Sequence, residues 1–126
     1  MTPLLQVFDT NESLRFYAAV GFLVVARSPT VTTREGTFSH WLLLALGDDH
    51  VMLNTAYDSN ERPASRDLAR TQAHGDTALH FDVPDVAATH AELSAKLSCT
   101  ELRQDHGRRH FSITDPDGFE LVFQTS

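Results

Sequence analysis

"DPDGFELVF", residues 115–123, places a tight turn directly before a β-strand. Pro116 fixes φ for the turn, the aspartate side chains accept hydrogen bonds from their own backbone, and Gly118 tolerates positive φ. From Phe119 onward apolar and polar side chains alternate, a pattern typical of a strand with one buried face. The last strand of the chain is therefore expected to have an apolar face and a mixed, half-polar face.

The order strand, helix and three strands occurs twice along the chain. In the first copy Asp9 is expected to cap the helix, Glu12 to complete a capping box and Gly21 to end the helix. In the second copy Asp85 takes the place of Asp9, before the helical pattern "AATHAELSAK". The expected strands cover residues 2–8, 22–27, 38–46 and 51–57, and then residues 78–85, 101–104, 109–114 and 119–125. Such a repeat predicts two similar modules packed around a shared surface.

The repeat also predicts the domain organisation. We expect one domain over residues 1–126, with a first module at about 1–57, a linker at about 58–75 and a second module at about 76–126. The linker contains Asn, Pro, Ser and alternating charges, which is typical of a solvated spacer, and its segment "SRDLARTQAH" could add a short helix. A chain of this length buries about two-thirds of its unfolded surface, so it can form a real core.

The charge balance limits the partners. Seventeen acidic residues against ten basic residues give a net charge of −7, and the sequence has no Lys/Arg cluster that would follow a row of phosphates. A net negative charge disfavours polyanions. We therefore expect neither nucleic acid nor an anionic membrane as a partner.

Three features bear on the location of the protein. Cys99 is the single cysteine, so no internal disulfide is expected. The longest apolar run, residues 41–46, is far too short to span a bilayer, and no charged and then apolar leader opens the sequence. We expect a soluble, cytoplasmic protein.

Two motifs carry a family resemblance: "SLRFYAAVGF" at residues 13–22 and "GRRHFSITDPDG" at residues 107–118. With the doubled βαβββ order, the chain resembles the vicinal oxygen chelate superfamily of glyoxalases, bleomycin-resistance proteins and extradiol dioxygenases over nearly its whole length. The resemblance implies an α+β fold in which two βαβββ modules form a curved, cup-shaped mixed sheet, with helices outside and a ligand inside. It also implies a homodimer, and whether the cup forms within one chain or across two stays open.

Metal-dependent relatives hold a divalent ion with one ligand, usually His, Glu or Gln, on each of four strands. The resemblance places these four positions at Thr2, Asn54, Ala78 and Val122. Ala78 and Val122 offer no donor atom, and the other two offer only neutral oxygens, which are too weak for zinc or iron. No metal is therefore expected at these positions.

The mixed faces of the strands supply the candidate site residues. Without a metal, His80 and Glu120 are the candidate catalytic residues, acting as an acid–base pair; with a divalent metal, His80 and either Glu120 or Gln124 would form a displaced site. A milder interpretation is that the polar side chains satisfy one another and orient a bound molecule. Arg109 either pairs with an anion at the cup mouth or is an ordinary exposed residue of a strand edge, and Trp41 either stacks on a planar ligand or fills the core. The candidate ligand-binding residues are Gln6, Trp41, Asn54, His80, Arg109, Glu120 and Gln124.

Three functions are compatible with this pattern. The first is a protein that encloses a small, partly aromatic or cationic molecule without a metal. The second is a metal-dependent lyase, isomerase or dioxygenase with an atypical ligand set. The third is an interaction subunit whose cup is vestigial. Whether the protein is an enzyme is not decided by the sequence.

Overall fold

The computed structural model describes residues 1–125 and divides into two compact units, Met1–Arg66 and Asp67–Ser126. Ser126, which ends the expected second module, lies outside the described residues. Unit 1 and unit 2 below denote these two parts. None of the helices among the described residues has the length and apolar character needed to cross a membrane.

Unit 1 contains a four-stranded mixed sheet, one helix and a small hairpin. Its elements are β1 (Leu4–Val7), α1 (Thr10–Val20), β2 (Leu23–Arg27), β3 (Val31–Thr33), β4 (Gly36–Phe38), β5 (Trp41–Leu46) and β6 (Asp49–Thr55). The sheet has the order β1-β6-β5-β2, in which β1 and β6 are parallel and the other neighbours antiparallel. β3 and β4 pair only with each other.

Unit 2 repeats this arrangement without the hairpin. Its elements are α2 (Leu68–Ala73), a 3₁₀ turn (His74–Asp76), β7 (Ala78–Asp82), α3 (Val86–Ser94), β8 (Arg103–Asp105), β9 (Arg108–Thr114) and β10 (Glu120–Thr125). The sheet has the order β7-β10-β9-β8, with β7 and β10 parallel and the other neighbours antiparallel. Each expected βαβββ module is thus present, and the expected α+β class is confirmed.

The helices begin where the sequence indicates. The Asp9 carboxylate accepts hydrogen bonds from the Asn11 and Glu12 backbone N–H groups at 3.0 and 3.3 Å. The Asp85 carboxylate accepts from the Ala88 N–H at 3.0 Å in the same way. Gly21 then ends α1 with a φ of +121°, a conformation that glycine adopts without strain.

The core follows the alternation of the strands. Leu5 and Val7 of β1 are almost fully buried, and so are Leu121 and Phe123 of β10. In each unit the helix lies against this apolar side of the sheet, where α1 contacts β6 and α3 contacts β9 and β10. Burying one such side chain contributes about 1.5–3 kcal/mol, so these faces supply the main stabilisation of each unit. The opposite, mixed faces of the two sheets do not pack against these helices.

The turn before the last strand forms as the sequence predicts. One Asp115 carboxylate oxygen accepts hydrogen bonds from the backbone N–H groups of Asp117 and Phe119, both at 2.9 Å. Gly118 has a φ of +91°. These hydrogen bonds hold the turn in one conformation and thereby set the register of β10. In this register Phe119 lies on the buried side of the sheet.

Candidate functional site

The mixed face of the unit 2 sheet brings together polar side chains from β7, β9 and β10. In the strand register His80 lies beside Val122, and Asp82 lies beside Gln124, which in turn lies beside His110. These residues share one face because their spacing along each strand is two. The opposite face carries the buried Phe81.

His80 is oriented by a chain of two hydrogen bonds. Its Nδ1 donates to the Gln124 side-chain oxygen at 3.1 Å, and the Gln124 Nε2 donates to an Asp82 carboxylate oxygen at 3.2 Å. A carboxylate only accepts, so Asp82 determines which way the Gln124 amide faces. The amide oxygen then fixes the proton of neutral His80 on Nδ1, which leaves Nε2 as an acceptor.

A second histidine borders the same pocket. His110 donates from Nε2 to an Asp105 carboxylate oxygen at 2.9 Å. Asp105 is positioned by the two-residue loop of the β8–β9 hairpin, in which His106 and Gly107 both have positive φ, as such loops require. The pocket has a volume of about 270 Å³ and is lined by His80, Asp105, His106, Arg108, His110, Val122 and Gln124.

Glu120 does not join this chain of contacts. It lies beside Ala78 and Thr114 in the register, one row away from His80. The hydrogen bond of His80 goes to Gln124 instead, and the described residues show no hydrogen bond between His80 and Glu120. His80 is therefore oriented by Gln124 and not by Glu120, and a joint acid–base role of His80 and Glu120 stays a prediction.

Arg109 lies on the other side of the unit 2 sheet. It alternates with His110 and so shares the face of Phe111 and Ile113, beneath α3. There it borders a separate pocket of about 350 Å³ at the start of that helix, with Asp85 and Thr125 among the lining residues. The period of two along β9 thus separates Arg109 from His80, His110 and Gln124, and its pairing with an anion stays a prediction.

The mixed face of unit 1 carries its own row of candidates. Gln6, Asn54 and Trp41 are direct neighbours across β1, β6 and β5. Asn54 donates from Nδ2 to the Gln6 side-chain oxygen at 3.4 Å. Trp41 is half-buried, whereas Leu42 beside it in sequence is 1% exposed, so the indole belongs to this face and not to the core.

The four family metal positions do not suit a divalent ion. Ala78 is exposed and Val122 is almost fully buried, both on the mixed face, and neither side chain has a donor atom. Asn54 already donates to Gln6, and Thr2 lies ahead of β1. Within residues 1–125 no group of three or more His, Cys, Asp or Glu side chains is arranged to hold a metal.

The sequence did not single out Asp82 or Asp105. Asp82 could have been found, because it lies two residues after His80 on the same strand face. Asp105 could not be found so simply, since its contact with His110 depends on the register of a short hairpin. Both carboxylates act through a neighbouring side chain, which local patterning does not reveal.

Comparisons with known proteins were informative about the family and the fold. The family model described as Glyoxalase/Bleomycin resistance protein/Dioxygenase superfamily matches residues 2–123. No match is found among curated protein sequences. Solved structures, by contrast, give many matches.

Three of these solved structures illustrate the similarity. A bleomycin-binding protein in complex with bleomycin has 19% identity and a TM-score of 0.71, over 100% of this chain and 97% of that chain. A bleomycin resistance determinant encoded on the transposon Tn5 has 20% identity and a TM-score of 0.71, over 100% and 96%. The protein SMU.1112c has 30% identity and a TM-score of 0.70, over 98% and 95%.

Proposed function

The chain belongs to the Glyoxalase/Bleomycin resistance protein/Dioxygenase superfamily, and from this membership we propose that it binds a small organic molecule against the mixed faces of its sheets. The proposal includes no divalent metal at the four family ligand positions. It is carried by one observation: His80 is held by Gln124 and Asp82 so that its second ring nitrogen remains available at a pocket of about 270 Å³. A pre-oriented polar group in a partly apolar pocket is typical of ligand sites.

The similar structures support the class of ligand. One of them is a bleomycin-binding protein in complex with bleomycin, and another contains copper(II)-bleomycin. The half-buried Trp41 offers a planar surface on unit 1, and the net charge of −7 favours a cationic molecule. Bleomycin, which carries planar and cationic groups, is therefore the first probe.

Thermal unfolding with and without bleomycin tests the proposal. A ligand at 100 times its Kd stabilises the folded state by about 2.7 kcal/mol, which shifts the unfolding temperature by several degrees. Gln124→Ala should reduce this shift because it releases His80, whereas Gln72→Ala, at an exposed glutamine of α2, should leave it unchanged. The binding function is rejected if neither bleomycin nor any compound from a library of planar aromatic molecules stabilises the protein.

Elemental analysis of protein purified without chelator tests the metal-free part. We expect no stoichiometric divalent metal. A stoichiometric metal that disappears in His80→Ala would instead support a metal-dependent enzyme with an atypical ligand set. Metal that persists in that variant would place its site elsewhere and would reject both alternatives.

We also propose a homodimer, supported by apolar side chains at one edge of the unit 1 sheet. On the edge strand β2, Leu23, Val24 and Val25 are 72%, 41% and 55% exposed. An exposed apolar edge favours contact with another chain. Sedimentation should give a dimer for the wild type and a monomer for Val25→Lys; a monomeric wild type would contradict the proposal.

A further inference from the structure

Glu35, in the loop between β3 and β4, has a buried carboxylate that is only half satisfied. Its side chain is 9% exposed. One oxygen, Oε2, accepts a hydrogen bond from the Thr33 hydroxyl at 2.8 Å. The other, Oε1, is buried and has no hydrogen-bond partner. An acceptor of this kind is costly to leave without a donor, so the geometry favours a bound group that supplies one.

The carboxylate is ionised at neutral pH. The hydrogen bond from Thr33 is the main cause that lowers the pKa of Glu35 below the ordinary value of 4.5. The backbone N–H groups of Glu35 and Arg62 and the charge of Arg34 act in the same direction, against the effect of burial. The oxygen that lacks a hydrogen-bond partner therefore shares a negative charge. A positively charged donor satisfies such an oxygen better than a neutral donor does.

The nearby arginines leave this oxygen without a direct hydrogen bond. The Arg34 Nε lies 3.7 Å from Oε1, and the Arg34 guanidinium donates instead to the Asn60 carbonyl. The Arg62 guanidinium lies 3.5 Å from an Asp9 carboxylate oxygen. Arg34 therefore forms a long ion pair with Oε1, and both positive charges are shared with other oxygens, so neither guanidinium donates a hydrogen bond to Oε1.

Two cavities have Glu35 in their lining. The inner cavity has a volume of about 10 Å³, enough for one water-sized group, and is lined by Phe8, Thr10, Glu35, Phe38, Thr55, Tyr57, Asp58 and Arg62. Five of these side chains carry oxygen acceptors and one carries a cation. The outer cavity, of about 640 Å³, shares Phe8, Glu35 and Arg62 with it and adds Arg34, Pro63 and Ala64.

We propose that these two cavities form a binding site for a small primary amine. The ammonium group occupies the inner cavity and donates to Glu35 Oε1, with the remaining N–H groups directed at the hydroxyl and carboxylate oxygens around it. The alkyl part lies in the outer cavity against Phe8 and Pro63. This site belongs entirely to unit 1, and its residues are different from those of the proposed function.

Titration with propylammonium chloride tests the site, with amide chemical shifts of residues 33–36 and 58–62 as the readout. We expect saturable shifts. 1-Propanol has the same tail without the charge and should bind at least tenfold more weakly. Tetramethylammonium has the charge without an N–H donor and should be equally weak. If propylammonium shows no saturation, or if 1-propanol matches it, the proposal is wrong.

Variants distinguish a specific effect of the Glu35 carboxylate from a general effect of negative charge on propylammonium binding. Glu35→Gln should weaken propylammonium binding at least tenfold, whereas Glu61→Gln, at an exposed glutamate of the adjoining segment, should bind as the wild type does. Glu35→Asp keeps the charge and should bind with intermediate strength, which guards against a folding defect in the first variant. Equal binding by Glu35→Gln and the wild type would overturn the proposal. A crystal soaked in propylammonium that still shows only a water in the inner cavity would do the same.

Discussion

The carbonyl group of Thr71 lies directly against Gly118, in the space that a Cβ atom on this glycine would occupy. Thr71 belongs to α2, and Gly118 belongs to the turn before β10, where its φ is +91°. The His74 Nδ1 also donates to the Asp117 carbonyl at 2.7 Å, and its ring stacks on Phe119 with 4.0 Å between the centroids. The short helix is therefore attached to the turn by backbone contact, a hydrogen bond and ring stacking.

Gly118→Ala should destabilise the protein for two reasons. Positive φ costs a non-glycine residue about 1–2 kcal/mol, and the new methyl group would collide with a backbone carbonyl that cannot rotate away. Gly107→Ala is the matched control, because Gly107 has a φ of +77° with no atom within 4 Å of an added Cβ. Urea unfolding should show a clearly larger loss for Gly118→Ala. Equal losses would mean that α2 does not press on the turn.

The proton of neutral His80 should reside on Nδ1. The chain from Asp82 through Gln124 leaves only an acceptor beside this nitrogen. Long-range ¹H–¹⁵N correlation spectra report the tautomer directly. Gln124→Leu should shift the His80 tautomer equilibrium toward Nε2–H, while Glu120→Gln should leave the spectrum unchanged. An Nε2–H tautomer in the wild type would show that the Gln124 amide faces the other way.

Trp41 and Leu42 should differ in their contribution to stability. Leu42 is 1% exposed in the core, so Leu42→Ala should cost about 2–5 kcal/mol. Trp41 is half-buried on the opposite face, so Trp41→Ala should cost clearly less and should weaken ligand binding instead. Chemical denaturation measures the first effect and probe titration the second. A larger stability loss for Trp41→Ala would place the indole in the core after all.

Glu35 should make the stability of the protein depend on pH in the acidic range. Its pKa is lower in the folded state than the ordinary value of 4.5, chiefly because of the Thr33 hydrogen bond. A carboxyl shifted this way stabilises the fold above the ordinary value and loses that contribution as the pH falls toward the folded value. The stability difference between wild type and Glu35→Gln should therefore shrink below about pH 4.5. Thr33→Val should flatten this dependence, and an unchanged dependence would mean that Thr33 does not lower the pKa.

The sequence predicted those features that depend on local periodicity. The buried face of β10, with Leu121 and Phe123, follows from alternation alone, and the helix caps at Asp9 and Asp85 follow from residue chemistry. These predictions need no knowledge of distant contacts. The short α2 helix was also anticipated within the linker.

Features that depend on pairing between segments were missed. The β3–β4 hairpin was not predicted because its strands have three residues each, too few for an alternation to be recognised. The half-satisfied carboxylate of Glu35 follows from that hairpin and could not be anticipated either. The face on which Arg109 lies, by contrast, follows from local periodicity, since the period of two along β9 places it with Phe111.

The identical strand order of the two units has a consequence for redesign. In one sheet Gln6 and Asn54 follow the leucine pair Leu5–Leu53, and in the other His80 and Val122 follow the pair Leu79–Leu121. The outward residues of either sheet can therefore be exchanged while the leucine pair beside them is kept.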